Sequence, residues 1–232
     1  MGTPDWLDWH TPYDDPLSPL SKRLALVQGH LRTALDRCPA GTIRMISMCA
    51  GQGRDVIGVL ARHPRRSEVR ARLVEWDERN VAIASDAAVG AGLTGVEVVR
   101  ADAGTTDAYI DAVPAEIVVV CGVFGNIIDN DISRTVASLR SLCAPRATVI
   151  WTRHRRPPDL TPTIRDWFEE AGFVAEGFDG PDTFFIGVGA HRLVVDPQPY
   201  EPGRRLFDFV GYDALVPPSS PDDRPPVGID RR

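Results

Sequence analysis

Leu20, Leu24, Val27, Leu31 and Leu35 recur at helical spacing, which predicts an amphipathic helix with one buried face. Ser18 and Pro19 mark its start, a capping hydroxyl followed by a residue whose missing N–H costs a first turn nothing, and Pro39-Ala40-Gly41 ends it. From residue 42 the pattern changes to short apolar runs at 42–49, 69–76, 96–100, 116–122, 147–153, 173–178 and 183–194, which predict seven strands. Helical stretches are expected between them at about 54–63, 78–91, 105–112, 131–143 and 162–171. Only "DGPD" (179–182) separates the last two runs, too little chain for a parallel crossover, so these two strands must form an antiparallel hairpin.

Strands alternating with helices give an α/β fold: a doubly wound, Rossmann-like, seven-stranded sheet, mostly parallel, with an antiparallel last strand and an N-terminal helical cap. The first seventeen residues, "MGTPDWLDWHTPYDDPL", are aromatic and proline-rich without periodicity, which predicts an ordered cap segment lying over something. Residues 204–215 carry enough apolar side chains to pack back on the domain, whereas 216–232, rich in Pro, Ser and charge, predicts a disordered tail. The chain thus divides into a cap and helix (1–41), the sheet domain (42–194), a packing segment (195–215) and the tail.

Composition narrows the function classes. A chain of 232 residues with 43% hydrophobic content can bury one substantial core. The net charge of −6 argues against a surface that embraces nucleic acid, since phosphate contact asks for a basic stripe. The runs "RHPRR" (62–66) and "RHRR" (153–156) each follow an element expected to end there and are read as solvated ends. Four cysteines, at 38, 49, 121 and 143, show no C-x-x-C pair and no metal-ligand spacing with the histidines. Reduced thiols, an N-terminus unlike a secretory signal and the absence of a run approaching about 18 apolar residues lead us to expect a cytoplasmic protein.

A doubly wound sheet binds its ligand at the carboxyl ends of the strands, so the residues just past each strand matter most. After the first comes "CAGQG", where two glycines let a ligand approach bare backbone; at the end of the second stands Glu75, with Asp77 beyond. Asp102 and Ala103 come after the third strand, and Gly122-Val123-Phe124-Gly125-Asn126 after the fourth. This succession resembles the class I S-adenosylmethionine-dependent methyltransferases over most of residues 42 to 194. The family's first motif, an acid followed by G-x-G-x-G, stands here as Ser47-Met48-Cys49-Ala50-Gly51-Gln52-Gly53, with Ser47 in place of the acid and Cys49 in place of the first glycine.

The resemblance implies S-adenosylmethionine as cofactor and methyl transfer as the activity. It implies that Cys49, Ala50, Gly51, Gln52 and Gly53 approach the methionine part, where the next helix would turn its N-terminal dipole toward the methionine carboxylate. Glu75, 22 residues beyond Gly53, would take the ribose hydroxyls, since a carboxylate can accept two at once. Asp77 is the rival for that role, although it has the look of a helix N-cap. Asp102 and the Ala103 N–H would meet adenine, and Gly122 and Val123 after the fourth strand would complete the cofactor site.

Other readings meet obstacles. A dinucleotide fingerprint needs a third small residue where Val56 stands, and a phosphate loop needs a lysine where this chain, whose single lysine is Lys22, has none. The [DN]-P-P-[YF] signature of amino-group methylation of adenine or glutamine is absent from "CGVFGN", and Cys121 lacks the Pro-Cys context of cytosine methylation. A small-molecule acceptor remains the favoured partner. If the acceptor's nucleophile carries a proton, His10, Tyr13 or His154 is the candidate base, with Trp6, Trp9, His10 and Tyr13 alternatively anchoring the cap. No metal site is expected. A catalytically silent binding protein, or an enzyme that transfers or cyclises the cofactor's aminopropyl arm, would share the same cofactor motifs.

Overall fold

The computed structural model describes residues 5–180, 185–211 and 215. Helix α1 (Pro19–Arg37) is followed by β1 (Ile43–Met48), α2 (Val56–Leu60), β2 (Val69–Glu75), α3 (Glu78–Gly90), β3 (Val96–Arg100) and β4 (Ala115–Val120). Then come α4 (Asp129–Ser138), β5 (Cys143–His154), α5 (Thr161–Glu170), β6 (Phe173–Asp179) and β7 (Ile186–Leu193). The strands form one sheet in the order β3-β2-β1-β4-β5-β7-β6. The first five run parallel, and β7 lies antiparallel to both β5 and β6, as the short link between the last two strands requires. The expected tail at 216–232 lies outside the described residues.

Central strands β1 and β4 are apolar along nearly their whole length because both of their faces are covered. On one face α1, α2 and α3 bury Leu31, Leu35, Val56, Leu60 and Ala84 against Met45, Leu73 and Ile150. On the other, α4, α5 and the segment after β7 bury Ile132, Val136, Phe168, Leu206 and Phe207 against Val118, Val120 and Trp151. Each such leucine or isoleucine contributes about 1.5–3 kcal/mol by leaving water. Helix α1 starts as its sequence requires: the Ser18 hydroxyl accepts the Ser21 N–H at 3.0 Å, with Pro19 next.

Two expected helices are much reduced. The stretch 54–63 is helical only over Val56–Leu60. Gly58 weakens it from within, and Pro64 steers the residue before it away from helical angles. The stretch 105–112 forms a single 3-10 turn, Thr106–Tyr109. There the Thr105 hydroxyl accepts the Asp107 N–H at 3.1 Å, and the Thr106 N–H goes to the Arg204 carbonyl at 2.9 Å, so local and long-range bonds outbid the helix. The cap segment contains a 3-10 helix, Asp8–Asp14, where no regular element was expected.

Candidate functional site

The strand ends β1 to β4 open into a cleft of about 400 Å³. After β1 the chain turns through three left-handed positions, Cys49 (φ 50°), Gly51 (φ 54°) and Gly53 (φ 66°). Cys49 therefore adopts the backbone of the glycine it replaces, a conformation uncommon for a residue with a side chain. Gly53 does not line the cleft. A Cβ there would come within 2.7 Å of Ile57 and 2.9 Å of Leu73, so this glycine lets α2 close on the sheet. Val123 is likewise buried in the core instead of facing the cleft.

Glu75 ties the floor together. Its Oε2 accepts the Gly51 N–H at 2.8 Å and its Oε1 accepts the Asp77 N–H at 2.8 Å, bracketing the exits of β1 and β2. Burial raises the Glu75 carboxyl above its ordinary range, and these amides oppose that shift. Asp77 caps α3, accepting the Arg79 and Asn80 N–H groups at 2.9 and 3.3 Å, and does not line the cleft. Cys49, Ala50, Gln52, Asp102, Ala103 and Gly122 line it with Gly51 and Glu75. Asp102 is already engaged at both oxygens: Oδ1 accepts the Gly104 N–H at 2.8 Å, and Oδ2 pairs with Arg205 at 2.5 Å.

The cap forms part of the roof. His10 lies over Gly51, its Nε2 so near the place a Cβ on that glycine would take that any other residue there would push the ring aside, besides being strained at φ 54°. Its Nδ1 is 2.7 Å from the Trp6 carbonyl, and because a carbonyl only accepts, Nδ1 carries the proton and the neutral ring is unprotonated at Nε2. Burial, ahead of the nearby Arg54 and Arg23, lowers the His10 pKa and keeps the ring neutral at pH 7. Tyr13 lines the cleft beside it, and Arg23 of α1 donates to the Tyr13 hydroxyl. His154 lies at the end of β5, outside the cleft lining, with its ring 3.7 Å from the place a Cβ on Gly125 would take; burial together with Arg153 and Arg156 lowers its pKa to about 4.

The rest of the roof comes from the far end of the chain. Arg205, Phe207, Phe209, Val210 and Gly211 line the cleft, and the Val210 and Gly211 N–H groups donate to the Asn126 carbonyl at 2.9 and 3.0 Å. Trp6 and Phe209 meet edge to face with ring centroids 5.3 Å apart, so the two segments touch above the floor. Sequence reasoning missed Arg205, Trp76, Asn80, Arg23 and Asp55 as cleft residues. Only Trp76 carried a signal, a large aromatic directly after the strand-end acid, and it is 67% exposed at the rim.

The helix N-terminus expected to greet a carboxylate is occupied. Helix α2 has five residues, and its first N–H, that of Val56, is taken by the Asp55 carboxylate at 2.7 Å. An anion of the chain itself sits where an anion of the ligand was expected. Cys49 and Cys121 both line the cleft, and burial pushes both thiols far above their ordinary range, so neither supplies a thiolate nucleophile. Among the described residues no group of His, Cys, Asp and Glu could hold a metal ion, and no helix is long and apolar enough to cross a membrane.

No curated protein sequence matches the chain. Among solved structures, it is similar to magnesium protoporphyrin IX methyltransferase from Synechocystis PCC 6803, solved with bound S-adenosylmethionine: TM-score 0.60, 13% identity, 80% of this chain and 89% of that one. It is also similar to an O-methyltransferase family protein from Burkholderia thailandensis, with TM-score 0.60 and 14% identity over 78% of this chain. That match spans only 57% of the Burkholderia protein. A third, 1,6-didemethyltoxoflavin-N1-methyltransferase from the same organism, was solved with bound 1,6-didemethyltoxoflavin and S-adenosylhomocysteine: TM-score 0.57, 13% identity, 82% of this chain and 87% of that one. At such identities the likeness is one of fold, that of the class I methyltransferases. The family model described as "Putative methyltransferase" matches residues 20–166, from the start of α1 into α5 and through every strand end that forms the cleft floor, and the chain belongs to this methyltransferase family.

Proposed function

We propose that the cleft binds S-adenosylmethionine and that the enzyme methylates a small-molecule acceptor held between the floor and the two roof segments. The observation that carries this is Glu75, a buried carboxylate on the Gly51 N–H at the cleft floor. Its oxygens accept the Gly51 and Asp77 amides, with the Trp76 amide also on the carboxylate, and of about four lone-pair sites one remains for a ligand hydroxyl. The residues fit the cofactor in character: bare backbone at Gly51, acceptors at Glu75 and Asp102 for the donors of a nucleoside, and the apolar side chains of Trp76, Ala103 and Phe207 around them.

When bound, S-adenosylmethionine supplies a methyl group already activated on a cationic sulfur, so the protein's main task is alignment of the acceptor. Gly51 and Glu75 hold and orient the cofactor from the floor, with Cys49, Ala50, Gln52, Asp102, Ala103 and Gly122 around it. The roof excludes water. His10, neutral and unprotonated at Nε2, takes the proton of an acceptor that carries one, and Tyr13 helps to position it. The net charge of −6 disfavours nucleic acid as the acceptor, and four cysteines without a disulfide suit the cytoplasm. The toxoflavin-precursor methyltransferase, whose fold this chain shares, acts on a compact small molecule, which supports the same class here.

Titration calorimetry tests the proposal. S-Adenosylhomocysteine is expected to bind in the micromolar range, about 8 kcal/mol, with no heat from NAD. Equal binding of both, or of neither, overturns the cofactor assignment.

A further inference from the structure

Beyond the nucleoside end, the cleft holds two opposite charges. Asp55 lines the cleft, and apart from the Val56 N–H bond at its own turn it has no ion-pair partner among the described residues. Arg23, from the second turn of α1, lines the same cleft and is near enough to draw the Asp55 carboxyl down while burial pushes that group up. Arg23 is held in place by the Tyr13 hydroxyl, to which it donates. The Tyr13 ring in turn lies beneath two guanidinium groups, those of Arg23 and Arg54, at 5.9 and 5.4 Å. Arg54 is already committed to Gln52 and Asp14, at 2.9 and 3.1 Å.

A half-buried carboxylate without an ion pair gains from a cationic ligand group, and a guanidinium in the same cleft offers a fork of donors to an anionic one. A ligand that brings both signs uses both. Neutral and singly charged ligands do not. The two side chains lie near the exits of β1 and β4, with Cys121 close enough to feel both charges. We propose that Asp55 and Arg23, the latter with Tyr13, form a zwitterion clamp for the α-amino acid end of S-adenosylmethionine, Asp55 taking the ammonium and Arg23 the carboxylate. This rests on the cofactor assignment above and deepens it.

The clamp accounts for two local features. Ser47 is neutral and buried within β1, so the carboxylate on this side of the cleft is supplied by Asp55 from the far end of the turn. With Asp55 on the first N–H of α2, the carboxylate of the ligand is better received by a guanidinium than by a helix end. The clamp also selects among cofactors. A decarboxylated sulfonium nucleoside would make no use of Arg23, so the site favours the intact amino acid and disfavours aminopropyl transfer.

The test compares S-adenosylhomocysteine with 5′-methylthioadenosine, which keeps the nucleoside and thioether and lacks the amino acid. By calorimetry the wild-type protein is expected to bind the former at least about tenfold more tightly. Asp55→Asn, which keeps a helix-capping side chain, and Arg23→Gln should each weaken S-adenosylhomocysteine by about tenfold or more and leave methylthioadenosine within about twofold. The clamp is overturned if the variants leave S-adenosylhomocysteine unchanged or weaken both ligands alike. It is also overturned if the wild-type protein fails to distinguish them, while the nucleoside site stands. A protein that binds neither overturns the cofactor assignment itself, and the clamp with it.

Discussion

The floor and the roof of the cleft are built by different means. On the floor, Glu75 ends β2, and Gly51, Asp102 and Gly122 lie just past the ends of β1, β3 and β4, so the paired strands set where they emerge. The roof comes from a 3-10 segment before α1 and an extended segment after β7. These are held down by side-chain contacts: Trp6 on Phe209, Asp5 on Arg79 at 2.8 Å, and Arg205 on Asp102. The groups proposed to hold the cofactor lie at the sheet's exits and on α1, with Tyr13 of the roof steadying Arg23, whereas the groups proposed to face an acceptor arrive with the roof. Perturbing one without the other is therefore informative.

The largest effect should come from removing residues 1–17. The sheet stays folded and S-adenosylhomocysteine affinity stays within about tenfold, while methylation of an identified acceptor is abolished. Normal turnover by the truncated protein would eliminate the roof as a working part, and failure to fold would make its aromatics simply core.

A second test strains the sheet and spares the roof. His191 of β7 is fully buried, stacked on Phe168 with centroids 4.5 Å apart, and accepts the Trp151 indole N–H at Nδ1 at 3.0 Å. Its Nε2 has no hydrogen-bond partner among the described residues. Burial, with Arg165 nearby, lowers its pKa to about 4. Because the folded state binds the proton less readily than the unfolded chain, the neutral ring's stabilisation is complete above about pH 6.5 and is lost as pH falls toward 4, by about 3 kcal/mol from this group. Urea midpoints at pH 7 and 5 should differ more for the wild-type protein than for His191→Gln. Equal differences would acquit His191.

The smallest expected effect separates the two acids at the end of β2. Glu75→Ala should cost roughly 1.5–3 kcal/mol of cofactor binding, and also lower the melting point by orphaning the Gly51 and Asp77 amides. Asp77→Ala should cost about 1 kcal/mol of stability through α3 and leave binding nearly intact. Calorimetry and thermal melts on both variants decide it; the reverse pattern would exchange their roles.

The same division marks what could be read from the chain. Strand ends are legible because hydrophobic runs announce the strands and sheet topology brings their carboxyl ends together, so Glu75 and Asp102 could be found by position alone. The hairpin of β6 and β7 followed from the length of its link. Segments without periodicity gave composition and no geometry: aromatics predicted a cap, yet nothing in the pattern told that His10 would rest on Gly51. Arg205, 103 residues from Asp102, had no local signal at all, since its pairing depends on where the completed sheet lays down the last segment. Gly53, chosen for backbone approach, serves helix packing because Ile57 and Leu73 claim the space beside it.

The contact of Trp6 with Phe209 also has a bearing on biosynthesis. A ribosome delivers the cap before the sheet and residues 205–211 only after β7, so the nascent chain can assemble its floor while the cleft still lacks a side. Maturation of the pocket thus waits on the segment that follows β7, and the cap is held in reserve until that segment has emerged.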